Sequence, residues 1–369
     1  MKSKLLFVIP SLINGGTQQV LVQLVNSLDK NKYDILLVLF EDIFDYKEEL
    51  DPSIIMVFLH KKDKWGIFKL VFRLRKIMCD FKPNVVMSFS HYANIVAALP
   101  TFLIKKEFKF IVCEHSYSPK YLPDVGLKHL RSCLMKISYA RADKIVAVSK
   151  GIKEAIETDF NVKSEKIAVI HNPISLEEIR SKSQKETGYT YFKDKNVNVI
   201  ISVGRLSKEK RFDILLRAFA LVKREKENVR LVILGKGKMQ KELETLASRL
   251  DIDKCVDFVG FQSNPFAWVS KADMFVLSSD FEGFPMVLLE AMACGVPVIS
   301  TDCLSGPGEI ITNGKNGILV PTGDEEALAG AILDLVGNDE KRKRLSEEAK
   351  KRIREFEVDK IIKQYSELL

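Results

Sequence analysis

The sequence predicts an α/β protein built from two doubly wound parallel sheets, and three observations carry that expectation. The chain has 369 residues, too many for one ordinary hydrophobic core and suited to two. Short β-branched runs alternate with amphipathic segments of helical length, the pattern of repeated strand-helix-strand units. The alternation breaks once, near the middle, and then restarts.

In the first half the strand candidates are LLFVI, DILLVLF, NVVMSF, KFIVCEH and KIVAVS, with a helix predicted over residues 17–28. A polar, Lys- and Ser-rich stretch with Gly188 interrupts the pattern. The second half then reads VNVIISVG, VRLVILG, VDFVG, DMFVLSS, VPVIST and GILV. The domain boundaries predicted from this are 1–175, a linker at 176–196, and 197–357. The amphipathic pattern at 358–369 predicts a closing helix, a candidate to cross back to the first domain.

A hydrophobic content of 46% and a mean hydropathy near zero fit a globular chain and exclude a disordered one. No apolar run reaches the roughly 18 residues of a spanning helix. The opening MKSKLLFVIPSLINGG runs into a glycine turn without a small-residue cleavage site, so it reads as a first buried strand. Six scattered cysteines, without a CxxC pair, indicate neither a disulfide framework nor a zinc site, and the expected compartment is a reducing cytoplasm. The charge is uneven: +9 over residues 1–185 and −1 over the rest. The first half is therefore expected to meet an anionic partner.

Ligands of open parallel sheets bind beyond the carboxyl ends of the strands, so the strand-to-helix loops are the places to look. The first holds Asn14, Gly15 and Gly16, where backbone amides could approach a phosphate, although two glycines also suit a plain turn. The loop after VNVIISVG holds Gly204, Arg205 and Lys208 to Arg211, cations beside a helix start. A solvated charge run would explain Lys208 and Glu209, but it explains Arg205 poorly, directly after a strand-end glycine. The segment SSDFEGFPMVLLEAMACGVP places Glu282 in a loop, Pro285 in the first turn of a helix, and Glu290 inside that helix among apolar neighbours. A carboxylate there needs a partner, and a vicinal diol would serve. His115 ends an apolar strand, while His60, His91, His129 and His171 read as structural or exposed. Asp251 and Asp253 form the only Asp-x-Asp string, read as a solvent-facing connector and not a metal site.

Taken together, the Gly-Gly loop, Glu114-His115, Gly204-Arg205 to Lys210, Gly235-Lys236-Gly237, Val259-Gly260-Phe261, the Glu282-to-Glu290 spacing and GVPVISTD resemble glycosyltransferase family 4. The resemblance spans nearly the whole chain. It implies the GT-B fold, two Rossmann-like domains facing each other across a cleft, and a retaining transfer from a nucleotide-sugar donor, UDP-linked by expectation. It implies ribose binding by Glu290, diphosphate binding by Arg205 and Lys210, and a helix start over Phe284, Pro285, Met286, Val287 and Leu288 that presents backbone amides to the sugar and phosphate, Pro285 itself having no N–H. Val259 and Phe261 would line the base, Gly15 and Gly16 would lie under the diphosphate and acceptor, and the catalytic contacts would come from Glu282 and His115. Fixed cations and a helix dipole would neutralise the leaving diphosphate without a metal or other cofactor. One position departs: the family commonly has glycine where this chain has Arg211, so the loop would either sit differently or gain a cation.

The expected function is transfer of a hexose or N-acetylhexosamine to a lipid-linked or polysaccharide acceptor in bacterial cell-surface glycan synthesis. The alternatives are a soluble small-molecule acceptor or nucleotide-sugar epimerisation. The helical stripe of Ile67, Leu70, Val71, Leu74 and Met78, flanked by Lys69, Arg73 and Lys76, reads either as a core helix or as a membrane-surface helix. Residues 117–136 offer a second basic, apolar surface. Weak contact of the basic N-terminal domain with the inner face of the cell membrane is expected, and no nucleic-acid partner.

Overall fold

A computed structural model describes residues 2–13, 15–45, 49–61, 66–116 and 128–369, and the chain divides into two compact units. The first comprises Met1–Pro173 and Val358–Leu369, the second Ile174–Glu357.

The first unit is a seven-stranded sheet of β1 (Ser3–Ile9), β2 (Tyr33–Leu39), β3 (Ile55–Phe58), β4 (Val85–Phe89), β5 (Lys109–Glu114), β6 (Lys144–Ala147) and β7 (Ile167–Val169). All its pairs are parallel and the order is β3-β2-β1-β4-β5-β6-β7. Its inner strands are buried on both faces, which is why they read as unbroken apolar runs instead of alternating ones. The helices are α1 (Gly16–Ser27), α2 (Ile67–Phe81), α3 (His91–Ala98), α4 (Lys128–Arg141) and α5 (Lys150–Phe160).

The second unit has β8 (Asn198–Val203), β9 (Val229–Leu234), β10 (Val256–Gly260), β11 (Met274–Leu277), β12 (Val298–Thr301) and β13 (Ile318–Val320) in the order β10-β9-β8-β11-β12-β13, again all parallel. Its helices are α6 (Leu176–Ser183), α7 (Phe212–Glu225), α8 (Gln240–Arg249), α9 (Phe266–Val269), α10 (Met286–Ala293), α11 (Pro307–Ile310), α12 (Glu325–Leu335) and α13 (Asp339–Ile353).

The stretch expected as a linker is folded into the second unit. Ser175 caps α6 by accepting the Glu178 amide (3.3 Å), and the carbonyls of Lys182 and Ser183 accept from Asn264 Nδ2 (2.8 Å) and Ser270 Oγ (3.1 Å). Tyr189 and Phe192 pack on Trp268 at 5.6 and 6.0 Å, and the Arg230 guanidinium lies 3.9 Å over Tyr191. Single aromatic and polar anchors hold this segment, and anchors of that kind leave no hydrophobic period to read. The closing helix α14 (Val358–Ser366) belongs to the first unit, where it packs on α1 and buries Ile361, Ile362 and Tyr365 in that core. Lys109 Nζ donates to the carbonyl of Leu368 at 2.6 Å.

Candidate active site

In the second sheet the strand order reverses between β8 and β11, and open parallel sheets bind their ligands in the crevice at the carboxyl ends of two such neighbours. These are the loops that carry Arg205, Lys210 and Glu282. Lys210 Nζ donates to Glu282 Oε1 at 2.6 Å, and Ser279 Oγ donates to the same oxygen at 2.7 Å. Three further bonds close the seam: Ser278 Oγ to the Lys210 carbonyl (2.8 Å), the Asp280 amide to the Glu209 carbonyl (2.9 Å), and Arg211 Nη1 to Asp280 Oδ2 (2.8 Å). Thr301, at the end of β12, donates its hydroxyl to the Ser279 carbonyl at 2.6 Å. Glu282 thus sits among fixed donors, and its charge, after burial itself, helps push the nearby Cys303 thiol up to about 12.

Backbone contacts make these loops stiff. Gly235 has φ +138°, and a Cβ there would stand 1.9 Å from the Gly204 carbonyl oxygen; one at Gly237 would stand 2.1 Å from that of Leu206. No side chain fits, because the opposing atoms are backbone and cannot swing away. Arg211 takes the left-handed conformation, φ 48° and ψ 43°, that the expected glycine would take. That conformation costs a non-glycine residue about 1–2 kcal/mol. A glycine would take this path without that cost.

Arg205, three-quarters exposed, shares its loop but turns to Glu209, its Nη2 lying 3.1 Å from Oε1. Pro285 is the residue before α10, not within its first turn, and Met286 begins the helix. The amide of Leu288 bonds back to the Pro285 carbonyl at 3.1 Å. It is therefore committed within the helix, which leaves the Met286 and Val287 amides as those positioned for a ligand. Phe284 is buried against Phe356, ring centroids 5.4 Å apart, so it contributes backbone and core but no ligand face. Glu290, half-buried on α10, is the second-largest influence raising the Cys294 thiol to about 12, burial being the first. Val259 and Phe261 flank Gly260 (φ +83°) at the end of β10, Phe261 exposed. Asp251 and Asp253 are exposed in the connector before β10.

In the first unit the reversal lies between β1 and β4. Gly15 precedes α1 with extended φ (−179°), so its conformation does not require glycine, and Gly16 opens the helix. Asn14 lies outside the described residues. His115 follows β5 and stacks on Phe89, the last residue of β4, at 5.5 Å and 30°. Burial pulls its pKa down to about 4, against the opposing influence of Glu114 and Asn172.

Sequence reasoning missed what lies beneath it. Glu114 is 1% exposed, and its Oε1 accepts from Asn94 Nδ2 (2.7 Å) and the Tyr139 hydroxyl (3.0 Å). Its Oε2 lies 2.6 Å from His91 Nδ1. Asn94 is itself fixed by Ser88 Oγ (2.6 Å) and by donating to the Cys113 carbonyl (3.1 Å). Ser90, between β4 and α3, has φ 83°, a strained conformation for serine. The polar letters of FSHYAN and CEH were the available signal.

The apolar stripe of α2 is core: Leu70, Val71, Leu74 and Met78 are buried. The same helix exposes Phe68 (71%) and Phe72 (60%) beside exposed Lys69, Arg73, Arg75 and Lys76. Residues 117–127 of the second predicted surface lie outside the described residues. Among the described residues no helix is long and apolar enough to cross a membrane.

Comparison with known proteins fits this architecture. Residues 184–352 match the family described as "Glycosyl transferases group 1", and residues 14–178 match "Glycosyltransferase Family 4". Two Campylobacter jejuni enzymes are similar along their whole length. One is N-acetylgalactosamine-N,N'-diacetylbacillosaminyl-diphospho-undecaprenol 4-alpha-N-acetylgalactosaminyltransferase, 30% identical, with 97% of each chain covered. The other is GalNAc-alpha-(1->4)-GalNAc-alpha-(1->3)-diNAcBac-PP-undecaprenol alpha-1,4-N-acetyl-D-galactosaminyltransferase, 31% identical, covering 99% of this chain and 98% of that one. Among solved structures, Anabaena Alr3699/HepE in complex with UDP-glucose shares the fold with a TM-score of 0.83 at 21% identity, covering 99% of this chain and 98% of that chain. With both halves matched and relatives at 30% identity or more spanning the chain, this protein belongs to glycosyltransferase family 4 and is a glycosyltransferase of the GT-B fold.

Proposed function

We propose that the protein transfers a hexose or N-acetylhexosamine from a UDP-sugar, with retention at the anomeric carbon, to a lipid-linked or polysaccharide acceptor of a bacterial cell-surface glycan. The observation carrying the proposal is the Lys210, Glu282 and Ser279 cluster at the reversal of the second sheet, followed at once by the start of α10. Departure of a nucleoside diphosphate leaves negative charge on the β-phosphate, and pre-placed cations and amides stabilise it without reorganising. Lys210, Arg205 and the Met286 and Val287 amides supply those groups, and no metal enters the proposed step. Glu282, oriented by Lys210 and Ser279, takes sugar hydroxyls near the reacting carbon, and Glu290 takes the ribose diol. His115, which burial keeps neutral above about pH 4, is the first unit's candidate for a hydrogen bond to substrate. The names of the Campylobacter relatives support an undecaprenol-diphosphate-linked acceptor and an N-acetylhexosamine donor. Phe68 and Phe72 within the basic face of α2 support weak docking on an anionic membrane surface, where aromatic insertion and Lys or Arg attraction add.

A thermal-shift panel of UDP-galactose, UDP-N-acetylglucosamine and UDP-N-acetylgalactosamine tests the donor assignment. A donor at 100 times its Kd stabilises by about 2.7 kcal/mol, roughly a 5–10 °C rise. Glu290→Ala is expected to lose most of it. A larger shift from ADP- or GDP-sugars than from all three would refute the UDP assignment.

A further inference from the structure

Arg211 stands where glycine is expected, and because its backbone keeps the glycine-like conformation, its side chain is an addition to the loop and not a change of path. That side chain spans two elements. Nε and Nη2 donate to the two carboxylate oxygens of Asp213 at 3.0 and 3.1 Å, and Nη1 donates to Asp280 Oδ2 at 2.8 Å. Asp213 lies in the first turn of α7, and Asp280 in the loop after β11, two residues before Glu282. Two carboxylates answer one guanidinium, so the trio carries net negative charge and has no cation to spare for a phosphate. Arg211 is therefore not the extra diphosphate ligand that its charge suggests.

We infer that Arg211 is a positioning residue that struts the β8 loop against the β11 loop, so that Lys210 and Glu282 are held in the register a diphosphate-sugar requires. The two neighbouring bonds across the same seam, from Ser278 Oγ and from the Asp280 amide, end on backbone carbonyls and set the spacing. The Arg211 to Asp280 pair is the contact across it that joins two charged side chains outside the Lys210 to Glu282 pair itself. The inference rests on the reading of this crevice as the donor site.

The test is calorimetric titration with UDP as the probe, on the wild type, Arg211→Gly, Asp280→Ala and the double variant, with melting temperatures recorded alongside. Glycine at 211 suits the backbone, so the fold is expected to stay intact, with melting temperatures within about 2 °C of the wild type. Each single substitution should weaken UDP binding about three- to tenfold, and the double variant no further, because both remove one strut. Weakening by Arg211→Gly but not by Asp280→Ala would mean direct action on the phosphates and would overturn the strut, as would wild-type affinity in both. A wild type that binds no UDP would overturn the donor-site reading and the strut with it, an outcome distinct from unaltered binding by the variants.

Discussion

Replacing Glu114 by glutamine keeps the volume of the side chain and removes its charge, in a site that is 1% exposed and supplies two donors to Oε1. In the native chain Oε1 faces Asn94 Nδ2 and the Tyr139 hydroxyl, and Oε2 faces His91 Nδ1. A glutamine has one oxygen to offer. With its amide nitrogen in the Oε1 place it meets the Asn94 and Tyr139 donors, and turned the other way it leaves the two bonds at that oxygen without charge assistance. Hydrogen bonds to a charged group contribute about 1.5–3 kcal/mol each. The expected destabilisation is about 3–5 kcal/mol, or about 6–20 °C in melting temperature for a unit of this size. Tyr139→Phe removes one of the two donors to Oε1 and is expected to cost about half as much. Calorimetric unfolding of the wild type and the two variants ranks them. If Glu114→Gln melts within 2 °C of the wild type, or if Tyr139→Phe is the more damaging, the carboxylate is not the centre of this network. Because Glu114 adjoins His115 and ties it to the ends of β4 and α3, a loss in turnover should accompany the loss in stability.

Two other outcomes follow from the first unit. His115 has a folded-state pKa of about 4 against an ordinary 6.5, so below pH 6.5 the unfolded chain binds a proton that the folded chain refuses. Stability therefore falls as pH drops from 6.5 to 4, by at most about 3 kcal/mol, and His115→Gln should remove that part of the fall; parallel urea-unfolding curves at pH 7 and 4.5 for the two proteins would contradict it. Docking by α2 predicts that the wild type co-sediments with phosphatidylglycerol vesicles at low salt and that Phe68→Ser with Phe72→Ser binds at least about tenfold more weakly, from the apolar area no longer inserted; a wild type that stays in the supernatant, or a double variant that sediments equally, would dismiss this face.

Much of the architecture was open to reading before any coordinates. Runs such as LLFVI, apolar on every residue, and NVIISV, apolar but for Asn198 and Ser202, read as strands covered on both faces, and that condition implies a parallel sheet and helical crossovers. Glycines at 235 and 237 and the residues Arg205, Lys210, Glu282 and His115 mark loops beyond the carboxyl ends of the strands, the places where open parallel sheets take their ligands. The segment 176–196 resisted, since its attachment depends on isolated contacts of Tyr189, Phe192 and Ser175 with residues far along the chain.

What the sequence determined by itself was everything periodic or locally constrained: two wound sheets, the loops at their carboxyl ends, and the ordered set of side chains that marks the family. Tertiary structure alone decided the pairings: Lys210 with Glu282, Arg211 with Asp280, and His91, Asn94 and Tyr139 around Glu114. The physical reason is that periodicity reports which face of an element is buried, whereas a hydrogen bond between residues 20 to 72 positions apart depends on strand order and register, which no local pattern encodes.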